Sequence, residues 1–121
     1  MLFQRTPLVM ALVLAGACSV ATAAQADVVR VESGDLTGFV KTIPGTNVRV
    51  DVFLGVPYAA APVGQNRWAS AKPAAAWRGI RQADTAPQPC KQKGQGSEDC
   101  LYVNIYRPAG TAAGANLPVA V

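Results

Sequence analysis

Apolar and polar residues alternate over several short stretches of the chain, and turn residues separate these stretches. Residues 48–54 show the clearest alternation, because the valines share one face of an extended chain and the charged residues share the other. Two shorter β-branched stretches precede it at residues 28–32 and 36–43, and Gly38 interrupts the second. The turn residues at 33–35 and 44–47 suit short connections, so we predict that the three strands form an antiparallel meander.

The second half of the chain predicts long loops between few strands. Three prolines within residues 55–76 exclude a long helix there, and we expect aromatic side chains to pin this segment by packing: Tyr58, Trp68 and Trp77. Residues 83–96 predict another loop. Residues 101–106 predict a strand that Pro108 ends, and the apolar run 117–121 predicts the start of a strand buried on both faces. We expect no helix of ordinary length after the N-terminal segment.

The N-terminal segment has the pattern of a secretory signal peptide. Arg5 precedes the apolar stretch 8–17, and Ala24-Gln25-Ala26 fits the small-x-small pattern at a cleavage site. The apolar stretch is shorter than the roughly 20 residues that span a bilayer. We therefore predict a leader at residues 1–26, cleavage between Ala26 and Asp27, and a mature domain at residues 27–121.

A second interpretation of the leader involves Cys18. The residues Leu14-Ala15-Gly16-Ala17-Cys18 resemble a lipoprotein box, although the leucine lies one place further from the cysteine than is usual. The simpler interpretation, an apolar cysteine within an ordinary signal, is favoured. Both interpretations export the protein, and the alanine-rich leader is of a bacterial type, so we expect a secreted or periplasmic protein without a membrane segment after cleavage.

Export permits disulfides, and removal of the leader leaves an even number of cysteines. Cys90 and Cys100 could close the glycine-rich loop between them, and two free thiols are the alternative. A cross-link of this loop size restricts the unfolded chain by about 2–3 kcal/mol in the entropy model.

The composition excludes several classes of function. Net charge is +4, from 11 Lys+Arg against 7 Asp+Glu, but the basic residues form no run or stripe, so we expect no nucleic-acid partner. The chain has 0 histidines, which excludes within it both the usual general base of a serine hydrolase and a histidine metal site. No paired-cysteine zinc motif occurs, and we expect no metal and no cofactor.

Three blocks of sequence together resemble the N-terminal region of the type-B carboxylesterases. The first runs from Phe53 to Ala59 and continues to Arg67-Trp68, and the second is Trp77-Arg78-Gly79-Ile80-Arg81 with Ala83 and Cys90 after it. The third is the most specific, and its signature residues are Glu98, Asp99, Cys100, Leu101, Tyr102 and Asn104. The blocks occur in the family's order and span essentially the whole mature chain.

The resemblance implies an α/β-hydrolase fold for the parent protein, of which this chain supplies a mostly β portion: a small N-terminal antiparallel sheet and the first strands of the central sheet. It implies a disulfide between Cys90 and Cys100 and an ion pair between Arg67 and Glu98. A buried Glu98 would need such a partner, because arginine can bind a carboxylate bidentately, and a solvated Glu98 is the alternative. Asn104 is expected to be a structural hydrogen-bonding residue.

The resemblance also implies a carboxylic ester hydrolase that acts on small-molecule esters through a serine acyl-enzyme. The family's oxyanion-hole run, serine elbow and catalytic histidine follow the region that resembles this chain. We therefore expect an N-terminal fragment that is inactive alone, with no catalytic residue among its own. A non-catalytic adhesion or binding relative and a stand-alone exported β-rich module remain alternatives.

Overall fold

The computed structural model describes residues 24–121, so the predicted apolar stretch and Cys18 lie outside the described residues. The described chain is mostly β, as the sequence predicted, and its only helical element is a 3₁₀ turn at Gly64–Asn66. Its strands are β1 (Val29–Val31), β2 (Gly34–Thr37), β3 (Phe39–Thr42), β4 (Arg49–Pro57), β5 (Ile80–Gln82) and β6 (Tyr102–Pro108). Residues 24–121 include no helix with the length and hydrophobicity that crossing a membrane requires.

The strands form two sheets, and the predicted three-strand meander is wrong. One sheet has the order β1-β2-β5, and the other has the order β3-β4-β6. The predicted strand at residues 36–43 divides at Gly38 into β2 and β3, which belong to different sheets. A Cβ at Gly38 would overlap the carbonyl oxygen of Val52, so only glycine lets the backbone pass this close to β4.

A short strand that the sequence analysis missed connects the two sheets. β5 runs parallel to β2, and the next residue, Ala83, donates its N–H to the Thr37 carbonyl at 2.8 Å. The Ala83 carbonyl accepts the N–H of Leu54 in β4 at 2.8 Å. β5 is three residues long and mixed in polarity, so alternation could not reveal it.

The core lies where these strands meet. Leu36, Phe53, Val56 and Ala83 are buried in one cluster together with Ala26, and Trp77 packs against it. The Trp77 ring nitrogen donates to the Asp35 carbonyl at 2.7 Å, so Trp77 is the packing anchor that the sequence predicted.

The same prediction is wrong for Tyr58 and Trp68, which are both exposed. They lie in the proline-rich segment between β4 and β5, which joins neither sheet, so no sheet face covers their rings. Trp68 also has a left-handed φ of 59°, which is uncommon outside glycine.

The run 117–121 forms no strand, contrary to the prediction, and its residues are exposed. A strand buried on both faces belongs inside a sheet with neighbours on both sides, and no strand among residues 24–121 pairs with this run.

The polar face predicted for residues 48–54 is only partly exposed. Asp51 lies directly opposite Arg107 on β6, and its side chain is 3% exposed. The Arg107 Nε donates to the Asp51 carboxylate at 3.0 Å, and its guanidinium lies over the Phe53 ring. This partner lets β4 bury a charge that its own alternation assigned to solvent.

Candidate functional site: the signature segment

The loop before β6 has its own hydrogen-bonded structure. Gln92 and Gln95 exchange two backbone hydrogen bonds at the tip, of 3.0 and 3.1 Å, and the N–H of Ser97 donates to the Pro89 carbonyl at 2.9 Å. Gly96 has a left-handed φ of 85°, and a Cβ there would overlap the backbone of Cys90. The loop is therefore a tight hairpin whose base leads directly into the segment 97–104, which we call the signature segment.

The structure joins Cys90 and Cys100 in a disulfide across the base of this hairpin, with the Cα atoms 4.9 Å apart. This is the pairing that the resemblance implied. The cross-link attaches the exposed hairpin to the residue that precedes β6 by two positions. It therefore fixes the middle of the signature segment against the chain that arrives from β5.

Arg67 and Glu98 form a direct ion pair between the guanidinium and the carboxylate. The structure thus brings together the two residues that the resemblance paired, which lie on the turn after residues 64–66 and on the hairpin base. Their side chains are 54% and 38% exposed, so Glu98 is not the buried carboxylate that would strictly need a partner. A pair with this exposure contributes about 0–1 kcal/mol at most.

Asp99 acts on Tyr102, the first residue of β6. The hydrogen bond with the Asp99 side chain, followed by burial and by the charge of the same carboxylate, raises the pKa of the Tyr102 hydroxyl above its usual value. The nearby Arg81 opposes this shift by lowering the pKa of Tyr102. The Asp99 N–H donates to the Ser97 hydroxyl at 3.1 Å.

Asn104 fills an irregularity in the neighbouring strand. The register of β4 against β6 shifts between Phe53 and Val56, and Gly55 in this bulge has a left-handed φ of 67°. The Asn104 side-chain oxygen accepts the Gly55 N–H at 2.9 Å, a donor that the bulge removes from the ladder. Asn104 therefore has the structural hydrogen-bonding position expected for it. Leu101 contributes its carbonyl, which accepts the Tyr58 N–H at 3.2 Å.

Sequence reasoning missed the partner of Asn104. The proline-rich composition places Gly55 in an irregular segment, although a glycine that continues a strand pattern is a recognised sign of a bulge. A Cβ at Gly55 would lie 2.8 Å from the Thr85 carbonyl oxygen, so this position needs glycine for its space as well as for its φ. The position of Arg81 near Tyr102 was also not predicted, because a single arginine in a short strand is usually solvated.

The segment contacts other parts of the chain, and the serines of the described residues have no histidine beside them. The serines among the described residues are Ser33, Ser70 and Ser97, and the chain has no histidine that could activate any of them. The Ser97 hydroxyl accepts a backbone hydrogen bond instead. Within residues 24–121, no group of His, Cys, Asp or Glu side chains could hold a metal ion. The signature segment is therefore a clamp that joins separate parts of the chain.

The predicted cleavage site lies beside the core. Ala26 is buried, its N–H donates to the Gly38 carbonyl at 3.1 Å, and its carbonyl accepts the Thr37 hydroxyl at 2.7 Å. Asp27 is exposed. Cleavage between Ala26 and Asp27 stays a prediction, and it would remove a residue that fills the core and accepts a buried hydrogen bond.

The comparisons with known proteins agree on one family. A model of the carboxylesterase family matches residues 25–121. Human carboxylesterase 5A is 39% identical over 105 residues, covering 73% of this chain and 18% of its own length. Carboxylesterase 5A from Felis catus is 40% identical over 116 residues, covering 82% of this chain and 21% of its own. The cocaine esterase of Oryctolagus cuniculus is 38% identical over 106 residues, covering 74% and 20%.

The N-terminal part of an α/β-hydrolase esterase is expected to be mostly β and to carry the disulfide and the ion pair of the signature segment. The match over residues 25–121 identifies the chain as a member of the carboxylesterase family. It spans about a fifth of the length of the curated relatives that it matches.

Proposed function

We propose that the complete gene product is a carboxylic ester hydrolase that acts on small-molecule esters. The observation that carries this proposal is the family match over residues 25–121. The signature segment supports it, because Glu98, Cys100 and Asn104 contact Arg67, Cys90 and Gly55, which lie in three separate parts of the chain. The mechanism we propose is that of a serine esterase: serine attacks the ester carbonyl, a base passes the serine proton to the leaving alcohol as the acyl-enzyme forms, and water hydrolyses the acyl-enzyme to the acid.

Residues 1–121 supply scaffold in this proposal and do not supply the chemistry. Serine needs an adjacent base to attack an ester at neutral pH, and the chain has 0 histidines. We therefore propose that residues 1–121 alone do not hydrolyse esters.

The test is hydrolysis of p-nitrophenyl acetate by the complete gene product and by residues 1–121 at equal concentration. We expect turnover above the uncatalysed rate only for the complete product. Turnover by residues 1–121 that survives replacement of Ser33, Ser70 and Ser97, one at a time, would show that none of these serines is the nucleophile. A folded complete product that is inactive toward a panel of short and long acyl esters would favour a non-catalytic binding relative.

We also propose that the protein is exported, to the periplasm or the medium, after cleavage between Ala26 and Asp27. The leader pattern and the disulfide between Cys90 and Cys100 support this, since disulfides persist in oxidising compartments. N-terminal sequencing of the exported protein is the test, and a mature chain beginning at Asp27 is expected. A chain beginning at Ala24 or Gln25 would instead keep Ala26 in the core, and an acylated Cys18 would establish the lipoprotein alternative.

A further inference from the structure

The outer edge of β3 carries a short added strand, residues 24–26. β3 lies at the end of its sheet, because β4 is the only named strand that pairs with it. On its other side, residues 24–26 run antiparallel to it. The Val40 N–H donates to the Ala24 carbonyl at 2.8 Å, and the Ala26 N–H donates to the Gly38 carbonyl at 3.1 Å. These are backbone hydrogen bonds of the kind by which an extended peptide joins the edge of a sheet.

Ala26 gives this edge a preference for a small side chain. Its residue is 6% exposed and belongs to the core cluster with Leu36 and Phe53. Its carbonyl accepts the hydroxyl of Thr37 at 2.7 Å, and Thr37 is itself buried. A side chain much larger than a methyl group would have to displace packed core residues, which is destabilising. The edge therefore selects an extended segment whose last residue is small.

The cleavage proposed above, between Ala26 and Asp27, would cut the chain directly after this added strand. The groups that bind the strand all stay with the mature domain: the Gly38 carbonyl, the Val40 N–H and the Thr37 hydroxyl. Departure of residues 24–26 would leave a strand edge without a partner and a buried hydroxyl without its acceptor. A free strand edge is a template for pairing with another extended segment.

We propose that the outer edge of β3 is a strand-addition site, which holds residues 24–26 in the uncleaved chain and binds the same segment as a free peptide after cleavage. In the free peptide, the terminal carboxylate of Ala26 accepts the Thr37 hydroxyl in place of the carbonyl. The proposal rests on the proposed cleavage site and not on ester hydrolysis. A test on protein made to begin at Asp27 examines the edge directly, whichever cleavage site N-terminal sequencing identifies.

The test uses the complete gene product made to begin at Asp27 and the acetylated peptide Ala-Thr-Ala-Ala-Gln-Ala, which has the sequence of residues 21–26. Hydrogen exchange is followed by mass spectrometry in the fragment that covers β3. We expect the peptide to slow the exchange of about one amide, that of Val40, with half-saturation in roughly the millimolar range that suits a short peptide. The absence of saturable protection in β3 up to about 10 mM peptide would overturn the proposal.

A second peptide, in which tryptophan replaces the last alanine, tests the preference for a small residue. It should bind at least about tenfold more weakly, because the place of Ala26 in the core has no room for an indole ring. Equal protection by the two peptides would contradict the proposal. If the product that begins at Asp27 does not fold alone, its refolding yield is compared with each peptide present, and equal yields contradict the proposal in the same way.

Two variants assign the binding to the edge of β3. Thr37→Val keeps the shape of the side chain but removes the hydroxyl that donates to Ala26, and we expect it to weaken the peptide by about tenfold. Thr85→Val is the matched control, at an exposed threonine whose hydroxyl bonds to Asp84, and it leaves peptide binding unchanged. Unchanged binding in folded Thr37→Val contradicts the proposal, and the comparison of the two peptides decides the matter if that variant does not fold.

Discussion

The core around Phe53 and the cross-linked hairpin at residues 90–100 are held in different ways. In the core, Leu36, Phe53 and Ala83 are 2%, 3% and 1% exposed, and backbone hydrogen bonds through Ala83 join the two sheets. In the hairpin, residues 91–95 are all exposed, and a disulfide, an ion pair and turn hydrogen bonds provide the contacts. Damage to the core should therefore affect the whole chain, whereas damage to the hairpin should stay local.

The largest effect is expected from Gly38→Ala. The added methyl would overlap the Val52 carbonyl, where the backbone of β4 cannot move without breaking its pairing with β3. We expect a loss of about 3 kcal/mol or more in the free energy of unfolding, at the upper end of single substitutions. Urea denaturation measures it. Gly45→Asn is the matched control, because nothing lies within 4 Å of a Cβ at Gly45 and asparagine tolerates its φ of 77°. Equal stability of the two variants would refute the close approach at Gly38.

Removing the disulfide should cost less, because the contacts of the folded core remain in place. Cys90→Ser with Cys100→Ser is expected to lower the free energy of unfolding by about 2–3 kcal/mol, because the unfolded chain regains its freedom. Trypsin offers a sharper test, since Lys91 and Lys93 lie in the exposed hairpin. A nick there should leave the two pieces joined on a non-reducing gel and separated after reduction. Pieces that separate without reductant would show that the two cysteines are not paired.

Asn104→Ala tests the link between the two regions. It removes the acceptor of the Gly55 N–H at the bulge, and an unpartnered backbone donor costs about 1–3 kcal/mol. Asn104→Asp keeps an acceptor at the same place and should retain most of the stability. If the alanine and aspartate variants unfold at the same urea concentration, the hydrogen bond to Gly55 does not matter to the fold.

Asp99→Asn should change the ionisation of Tyr102 more than the stability of the chain. The pKa of Tyr102 is raised in the folded protein, chiefly by its hydrogen bond with Asp99, so folding favours the neutral phenol. This contribution is complete below the unfolded pKa of about 10 and is lost as the pH rises through the raised folded-state pKa. The variant should move the pKa of Tyr102 back toward its ordinary value in an ultraviolet titration, with Tyr102→Phe to assign the transition. A titration unaltered by the substitution would exclude the contact.

The smallest effect is expected at the ion pair between Arg67 and Glu98. Both side chains are more than one third exposed, so a double-mutant cycle with Arg67→Ala and Glu98→Ala should give a coupling of about 0–1 kcal/mol that decreases with salt. A coupling far above this range would mean that the pair is shielded from solvent in the complete protein.

The sequence predicted those parts of the molecule that show either a local pattern of residues or a resemblance to the family. The alternation at residues 48–54 identified β4, and the signature segment identified the disulfide and the ion pair through the resemblance. The pairing of strands was not predictable, because one glycine, Gly38, assigns two halves of a continuous β-branched run to different sheets. β5 was missed because three residues of mixed polarity carry no period. Asp51 was placed in solvent because its partner, Arg107, lies 56 positions away in the chain.

The most direct test of the proposed role is to label the complete gene product with a fluorophosphonate that reacts only with activated serines, and to identify the labelled peptide. If the described residues are scaffold in a serine esterase, one serine is labelled, in a Gly-x-Ser-x-Gly context, and Ser33, Ser70 and Ser97 carry no label. Label on any of these three serines would contradict the scaffold role, and a folded product that takes up no label would exclude the serine mechanism.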